Sequence, residues 1–159
     1  MRQFAFNLSL VVLLALLLLG AGAAQTGPVA DAVAALQRGD LSSAEQTLRA
    51  ELHAHPNDIE ALDVLGVVLD NQKKYAEADV FYRRAINLPE PSPGLLNNYA
   101  NHLLAMGKLT EARAVFLKVI AADPGHPNAH VQLARISLQK KSASEALHYL
   151  DGLPPSARN

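Results

Sequence analysis

A chain of 159 residues without a single cysteine suffices for one modest domain and excludes disulfides, thiolate metal sites and the lipoprotein kind of leader, which needs a cysteine at its cut. Lysine and arginine number 14 against 15 aspartates and glutamates, a net charge of −1, so the basic stripe that nucleic acid requires is missing and no partner of that class is expected. The hydrophobic share of 50% misleads, because much of it is packed into the first two dozen residues.

Residues 1–24 read as a secretory leader. MRQFAFNLS carries Arg2 as its one charge, Leu10 to Leu19 is an unbroken apolar block, and GAGAAQ follows with Ala21 and Ala23 in the A-x-A pattern at which a peptidase cuts. Cutting after Ala24 fits as well. The alternative is an uncleaved anchor: the run from Phe4 to Gly20, roughly 17 residues, is about the shortest that spans a bilayer, and Asn7 and Ser9 interrupt it. The leader implies an exported chain, periplasmic or secreted; the anchor implies one tethered to the inner membrane. Beyond the leader nothing calls for a membrane, since Lys73-Lys74, Arg83-Arg84 and Lys140-Lys141 are scattered pairs.

From residue 25 the chain repeats itself every thirty-four residues, in four copies at 25–58, 59–92, 93–126 and 127–158. Ala44, Ala78, Ala112 and Ala146 fall in one column, and four residues on stand Leu48, Tyr82, Phe116 and Leu150, always large and apolar. Upstream, Leu65, Tyr99 and Leu133 align, each followed by a small residue, Gly66, Ala100 or Ala134. In the first copy Pro28 and Asp31 stand where large apolar residues belong, which predicts a short first helix from about Val29 to Arg38. In the second, Leu62, Leu65 and Leu69 share one helical face and Ala78, Tyr82 and Ala85 another, with a break between. Ser92-Pro93 opens the third copy, proline at a first helical position losing no needed hydrogen bond. The fourth places His130 and Ser137 in apolar columns. Gly39-Asp40 and Gly107-Lys108 end helices, and Ser42 with Glu45, and Ser142 with Glu145, fit capping boxes. Each copy is thus a helix hairpin that cannot bury its own large residue, and stacking covers it.

A thirty-four-residue period with Leu65-Gly66, then Ala78 and Tyr82, and again Tyr99-Ala100, Ala112, Phe116 and Pro124, resembles the tetratricopeptide repeat. The resemblance spans about residues 27 to 153 and implies an all-α fold, a right-handed superhelical stack of antiparallel helix hairpins. It also implies a scaffold for protein–protein interaction whose hollow side, lined by the first helices, takes a peptide or protein segment.

Catalytic and metal chemistry find no constellation. His126 and His130 have a zinc-like spacing, but Pro127 intervenes and no third ligand is near, so they read as a helix-end pair. His53 and His55 sit at a helix tail, where partly positive imidazoles suit the helix dipole. His102 and His148 read as surface residues. Ser137 to Lys140 fits S-x-x-K, yet neither S-D-N nor K-T-G follows, and G-x-S-x-G, H-E-x-x-H and a phosphate loop are all missing. The expectation is no enzyme, no cofactor and no metal.

Candidate binding residues follow from the offsets 0, 3, 7 and 10 along each first helix. They are Glu60, Asp63, Val67 and Asp70 in the second copy; Gly94, Asn97, Asn101 and Leu104 in the third; and Asn128, Val131, Arg135 and Leu138 in the fourth. An acidic stripe, an amide patch and a mixed apolar and cationic patch result. Asn97 and Asn101, one turn apart, offer donors and acceptors that bracket a peptide backbone. Chaperone-tail binders of the family clamp a terminal carboxylate with lysine and asparagine; Asp63 and Asn97 stand in matching columns here, which argues against that ligand. The plain alternative is that these residues are merely solvated helix faces.

DGLPPSARN does not supply the polar-faced closing helix usual in the family, so Leu147, Leu150 and Leu153 are expected at an exposed edge. Weak self-association through that edge, docking of a partner there, or a fragment of a longer chain are the three readings. An assembly or stability factor of a surface or secretion machine, or an accessory piece of an enzyme, remains the alternative to a peptide-holding scaffold.

Overall fold

A computed structural model describes residues 27–157. The expected leader and its cut site lie outside the described residues. Eight α-helices make up the described part: α1 (Pro28–Gln37), α2 (Leu41–Ala54), α3 (Ile59–Asn71), α4 (Tyr75–Ile86), α5 (Pro93–Ala105), α6 (Leu109–Ala122), α7 (Pro127–Gln139) and α8 (Ala143–Asp151), closed by a 3₁₀ turn at Pro155–Ala157. None of them is long and apolar enough to cross a membrane. Consecutive helices pair as hairpins 1 to 4, each second helix packs on the next first helix, and α1, α3 and α5 also touch one another along the stack. The fold is an all-α stack of hairpins.

The bend inside each hairpin has one recipe. Gly39, Lys73, Gly107 and Lys141, thirty-four residues apart, all take the left-handed conformation, with φ of 79°, 61°, 73° and 59°. The following amide then reaches back across the turn: Asp40 to the Ala35 carbonyl, Lys74 to Leu69, Lys108 to Leu103 and Ser142 to Ser137, at 2.8–2.9 Å. This satisfies helix-end carbonyls that otherwise lack a partner. Glycine meets the φ requirement at no steric cost, whereas lysine meets it at about 1–2 kcal/mol.

Helix starts are capped differently from the expected boxes. Asp40, not Ser42, accepts from the Ser43 amide at 3.1 Å, and Glu45 turns away to accept from Lys74 Nζ at 3.0 Å. Lys74 and Arg49 beside it hold the Glu45 carboxyl down to about 2. Ser142 does stand at the start of α8, but its side chain makes no cap bond, and Glu145 instead accepts from Arg113 Nη2 of hairpin 3 at 2.5 Å. In both places a cross-hairpin guanidinium or ammonium outcompetes an amide of the same helix, because hydrogen bonds to full charges are the stronger kind. Asp58 and Ser92 cap α3 and α5 with bonds of 3.0 and 3.1 Å.

The core follows the columns. Ala44, Ala78, Ala112 and Ala146 are buried, as are Leu48, Tyr82 and Phe116. Leu150, fourth in that large column, is 38% exposed while its neighbour Tyr149 is buried. In inner hairpins this position is covered by the next hairpin's first helix, and no such helix follows α8 among the described residues. Leu153, expected at the edge, is buried instead. The small and large columns meet at Gly66, where an added Cβ would lie 2.7 Å from two ring carbons of Tyr82.

Two stability outcomes follow. Lys73→Gly and Lys141→Gly should each stabilise the array, by about 0.5–1 kcal/mol, as relief of the left-handed strain exceeds the entropy added to the unfolded chain; an unchanged or lower urea midpoint contradicts this. Gly66→Ala should destabilise by about 1–3 kcal/mol, since the Tyr82 ring has no flexible end to move aside. A variant as stable as the parent would refute that fit.

Candidate functional site

The first helices line one side of the stack, where two adjoining cavities share Asn101 and Ala105. One, of about 290 Å³, lies between α3 and α5 and is lined by Val67, Asp70, Asn71, Asn98 and His102 with Tyr75 and Tyr82 from α4. The other, of about 360 Å³, lies between α5 and α7 and is lined by Leu104, Gln132, Arg135, Ile136 and Gln139, with Leu109 from α6. The result is a groove running across three hairpins.

Of the residues expected from spacing, Val67, Asp70, Asn101, Leu104 and Arg135 line these cavities. Glu60 is exposed on the first turn of α3. Asp63 is half-buried and accepts twice from Asn98 Nδ2, at 3.0 and 3.1 Å, so it ties hairpin 2 to hairpin 3. Asn97 lines neither cavity, and its Oδ1 is buried without a hydrogen-bond partner. Val131 and Leu138 stand exposed on α7. Asn71, Asn98, Ala105, Gln132 and Gln139, all lining residues, escape the spacing argument by one position. The lining takes offsets 4, 8 and 11 from Glu60, Gly94 and Asn128 in addition to 7 and 10, and the polar or small character of Asn71, Ala105 and Gln139 in one column was the available signal.

The floor of the first cavity holds the largest departure from expectation. His102, read as a surface residue, is 1% exposed. Its Nδ1 lies 2.7 Å from Asp70 Oδ1 of α3, its Nε2 lies 3.5 Å from Asp79 Oδ1 of α4, and its ring packs between Tyr82 and Tyr99 with centroids 5.1 and 6.2 Å away. An isolated histidine in a sequence carries no mark of the aspartates that two other helices bring to it. Burial, reinforced by Asp70 and Asp63, pushes the Tyr82 phenol far up, so it keeps its proton. Desolvation likewise raises Asp63 above the usual carboxylate range, against the opposing Asn98 bonds.

The other histidines sort plainly. His126 caps α7 through Nδ1, which accepts from the Ala129 amide at 3.3 Å. His130 is no helix-end partner to it. His130 is buried with Nδ1 2.9 Å from the Tyr149 carbonyl oxygen and Nε2 2.8 Å from that of Pro124. Gly152 leaves room for that ring, which would lie 2.3 Å from an added Cβ. Among the described residues no three of His, Asp and Glu group closely enough to hold a metal ion. Ser137 of S-x-x-K is wholly buried in α7, out of reach of a substrate.

What the groove offers is carboxamides with one aspartate at the α3 side and one arginine at the α7 side. Asn101 Nδ2 donates to Asn128 Oδ1 at 3.3 Å and Arg135 Nη1 to Gln132 Oε1 at 3.1 Å, bonds weak enough to be exchanged for those of a guest.

Residues 29–94 and residues 103–159 each match a family model described as the tetratricopeptide repeat. The chain belongs to the tetratricopeptide repeat family. Its stack is therefore a scaffold of the kind that mediates protein–protein interaction. Cellulose synthase operon protein C of Pseudomonas fluorescens is 31% identical over 138 residues, which are 80% of this chain and 11% of that protein. The type IV pilus assembly protein PilF of Pseudomonas aeruginosa is 29% identical over 118 residues, 73% of this chain and 47% of the relative. A solved structure of the Pseudomonas aeruginosa PilF superposes with a TM-score of 0.72 at 27% identity, covering 78% of this chain and 57% of that one. The chain thus spans less than half the length of either relative.

His102→Ala should destabilise the array by about 2–4 kcal/mol, because it removes a buried ring and leaves Asp70 and Asp79 facing an empty space. Thermal unfolding within 1 °C of the parent would show that the imidazole ties nothing.

Proposed function

We propose that the chain is an exported, non-catalytic tetratricopeptide-repeat scaffold that holds an extended peptide or protein segment in the groove across α3, α5 and α7. The observation that carries this reading is the continuity of the two cavities through Asn101, with side chains there that both donate and accept. Main-chain amides of an extended segment find partners in Asn71, Asn101 and Gln132, while Asp70 and Arg135 at opposite ends favour one direction of binding. Glu60 and Asp63 extend the acidic end. The leader-like residues 1–24 support export to the periplasm or beyond, with tethering to the inner membrane as the alternative should the leader stay uncut.

A second reading has a specific support: likeness to a protein named for type IV pilus assembly favours an assembly factor of a cell-surface machine. The two readings share the groove and differ in the partner.

The test is in-cell crosslinking from a photoreactive residue at Ala105, compared with the same probe in an Asn71→Ala, Asn101→Ala, Arg135→Ala background. The proposal expects a protein adduct at least about tenfold weaker in the triple variant. A probe at Val80, exposed on α4, should give no such adduct. An adduct undiminished by the three substitutions removes the groove from the account.

A further inference from the structure

Twice in this stack an arginine is held by a carboxylate and a tyrosine together. Arg83 donates to Asp79 Oδ2 at 2.6 Å and lies over the Tyr99 ring, 6.0 Å from its centroid. Arg113 donates to Glu145 Oε1 at 2.5 Å and lies 3.5 Å from the Tyr149 hydroxyl. The cavity between α3 and α5 offers the same pair a third time, since Asp70 lines it together with Tyr75 and Tyr82, yet no lysine or arginine among the described residues does. A carboxylate supplies the charge and a tyrosine ring the flat wall, the combination that holds an organic cation.

The charges round the cavity leave that place open. Asp79, behind His102, is answered by Arg83 and by the field of Lys108. Asp63 is answered by Asn98, an amide without charge. Asp70 meets His102 Nδ1 through Oδ1 at 2.7 Å, and its side chain is 19% exposed. An ionised carboxylate accepts about four hydrogen bonds, so His102 uses only part of that capacity. Of the lining residues only His102 can carry a positive charge, and one imidazole does not cancel Asp63 and Asp70 together. Their negative field is felt at the wall, where burial and then Asp70 and Asp63 push the Tyr82 phenol up. Among the described residues no three of His, Asp and Glu group closely enough for a metal ion, which leaves an organic cation as the match. At about 290 Å³ the cavity stands at the foot of the range for small-molecule pockets and suits one long side chain. The neighbouring cavity has Arg135 as its one charged lining residue, so a cation is disfavoured there.

We propose that the cavity between α3 and α5 is a specificity pocket for a lysine or arginine side chain of the guest segment, with the cationic head on Asp70 and the apolar stem against Tyr75 and Val67. The inference rests on the reading of the groove as a peptide site and adds the residue type that the guest carries.

Selection of random dodecapeptides displayed on phage against the immobilised full chain reads the pocket directly. Lysine plus arginine should be enriched at one position by about tenfold over the starting library, the factor that a charge-assisted hydrogen bond is worth. A selected peptide should bind Asp70→Asn about tenfold more weakly. It should bind Glu111→Gln unchanged, since that variant removes the same charge from an exposed residue of α6 outside both cavities. Asparagine keeps an oxygen for His102 Nδ1, and an unchanged thermal midpoint confirms that the stack is intact. Should Asp70→Asn melt early, norleucine in place of the peptide's lysine or arginine makes the same cut from the guest's side and should cost the same factor. Enrichment of neutral or acidic residues alone, or a selected peptide that binds as tightly after the norleucine exchange, overturns the pocket while the groove stands. A selection that enriches nothing, or peptides that bind Asn71→Ala, Asn101→Ala, Arg135→Ala undiminished, removes the groove and the pocket with it.

Discussion

Everything in this molecule depends on one large side chain per repeat being covered from two directions. The ring of Tyr82 lies flush against the bare backbone of Gly66 in its own hairpin and against Tyr99 and His102 of the next. A lone hairpin supplies only the first of these contacts. Removing such a side chain from water is worth about 1.5–3 kcal/mol, so each interface contributes a sizeable share of an array's total stability, and neighbours fold as dependents of one another. Leu48 and Phe116 occupy the same column and are equally buried. Among the described residues no helix follows the hairpin that carries Leu150, and Leu150 is 38% exposed.

The stacking contact has two characters along its width. Between second helices and the next first helix it is apolar, around Tyr82 and Phe116. Along the first helices it turns polar, with Asp63 held by Asn98 and Asp70 by His102. Outside the groove, guanidinium and carboxylate groups join successive second helices, Arg113 with Glu145 and Arg49 with Glu77. The exposed ion pairs contribute little individually. Their effect is directional, since a charged pair penalises a slipped register that an apolar contact alone would tolerate.

This division of labour sets what remains for recognition. Asp63 is spent on Asn98 within the stack, whereas Asp70, Asn71, Asn101, Gln139 and Arg135 line the groove. The groove presents a row of amides with modest charge at either end, a lining whose middle is better matched to main-chain groups than to a strongly charged one. Hairpin 4 presents the opposite chemistry a short distance away, with Val131, Leu138, Leu147 and Leu150 exposed.

The thirty-four-residue columns of alanine, large apolar and small residues determined the helix hairpins, their number and their core, because burial and helical period act on residue type wherever the chain goes. Proline and glycine positions likewise marked most helix ends. The one-position error in the groove arose because offsets along a helix describe its own axis, while the lining strip depends on how neighbouring helices tilt across it. His102 was illegible for the same reason: its partners Asp70 and Asp79 come from two other helices, and nothing in its own neighbourhood announces them. Val131 and Leu138 read as groove residues by spacing, and only the packing of α5 on hairpin 2 identifies their face as the stacking one. Residue type and period are local quantities that a chain carries with it; which polar group meets which across a hairpin boundary exists only once the helices are laid against each other.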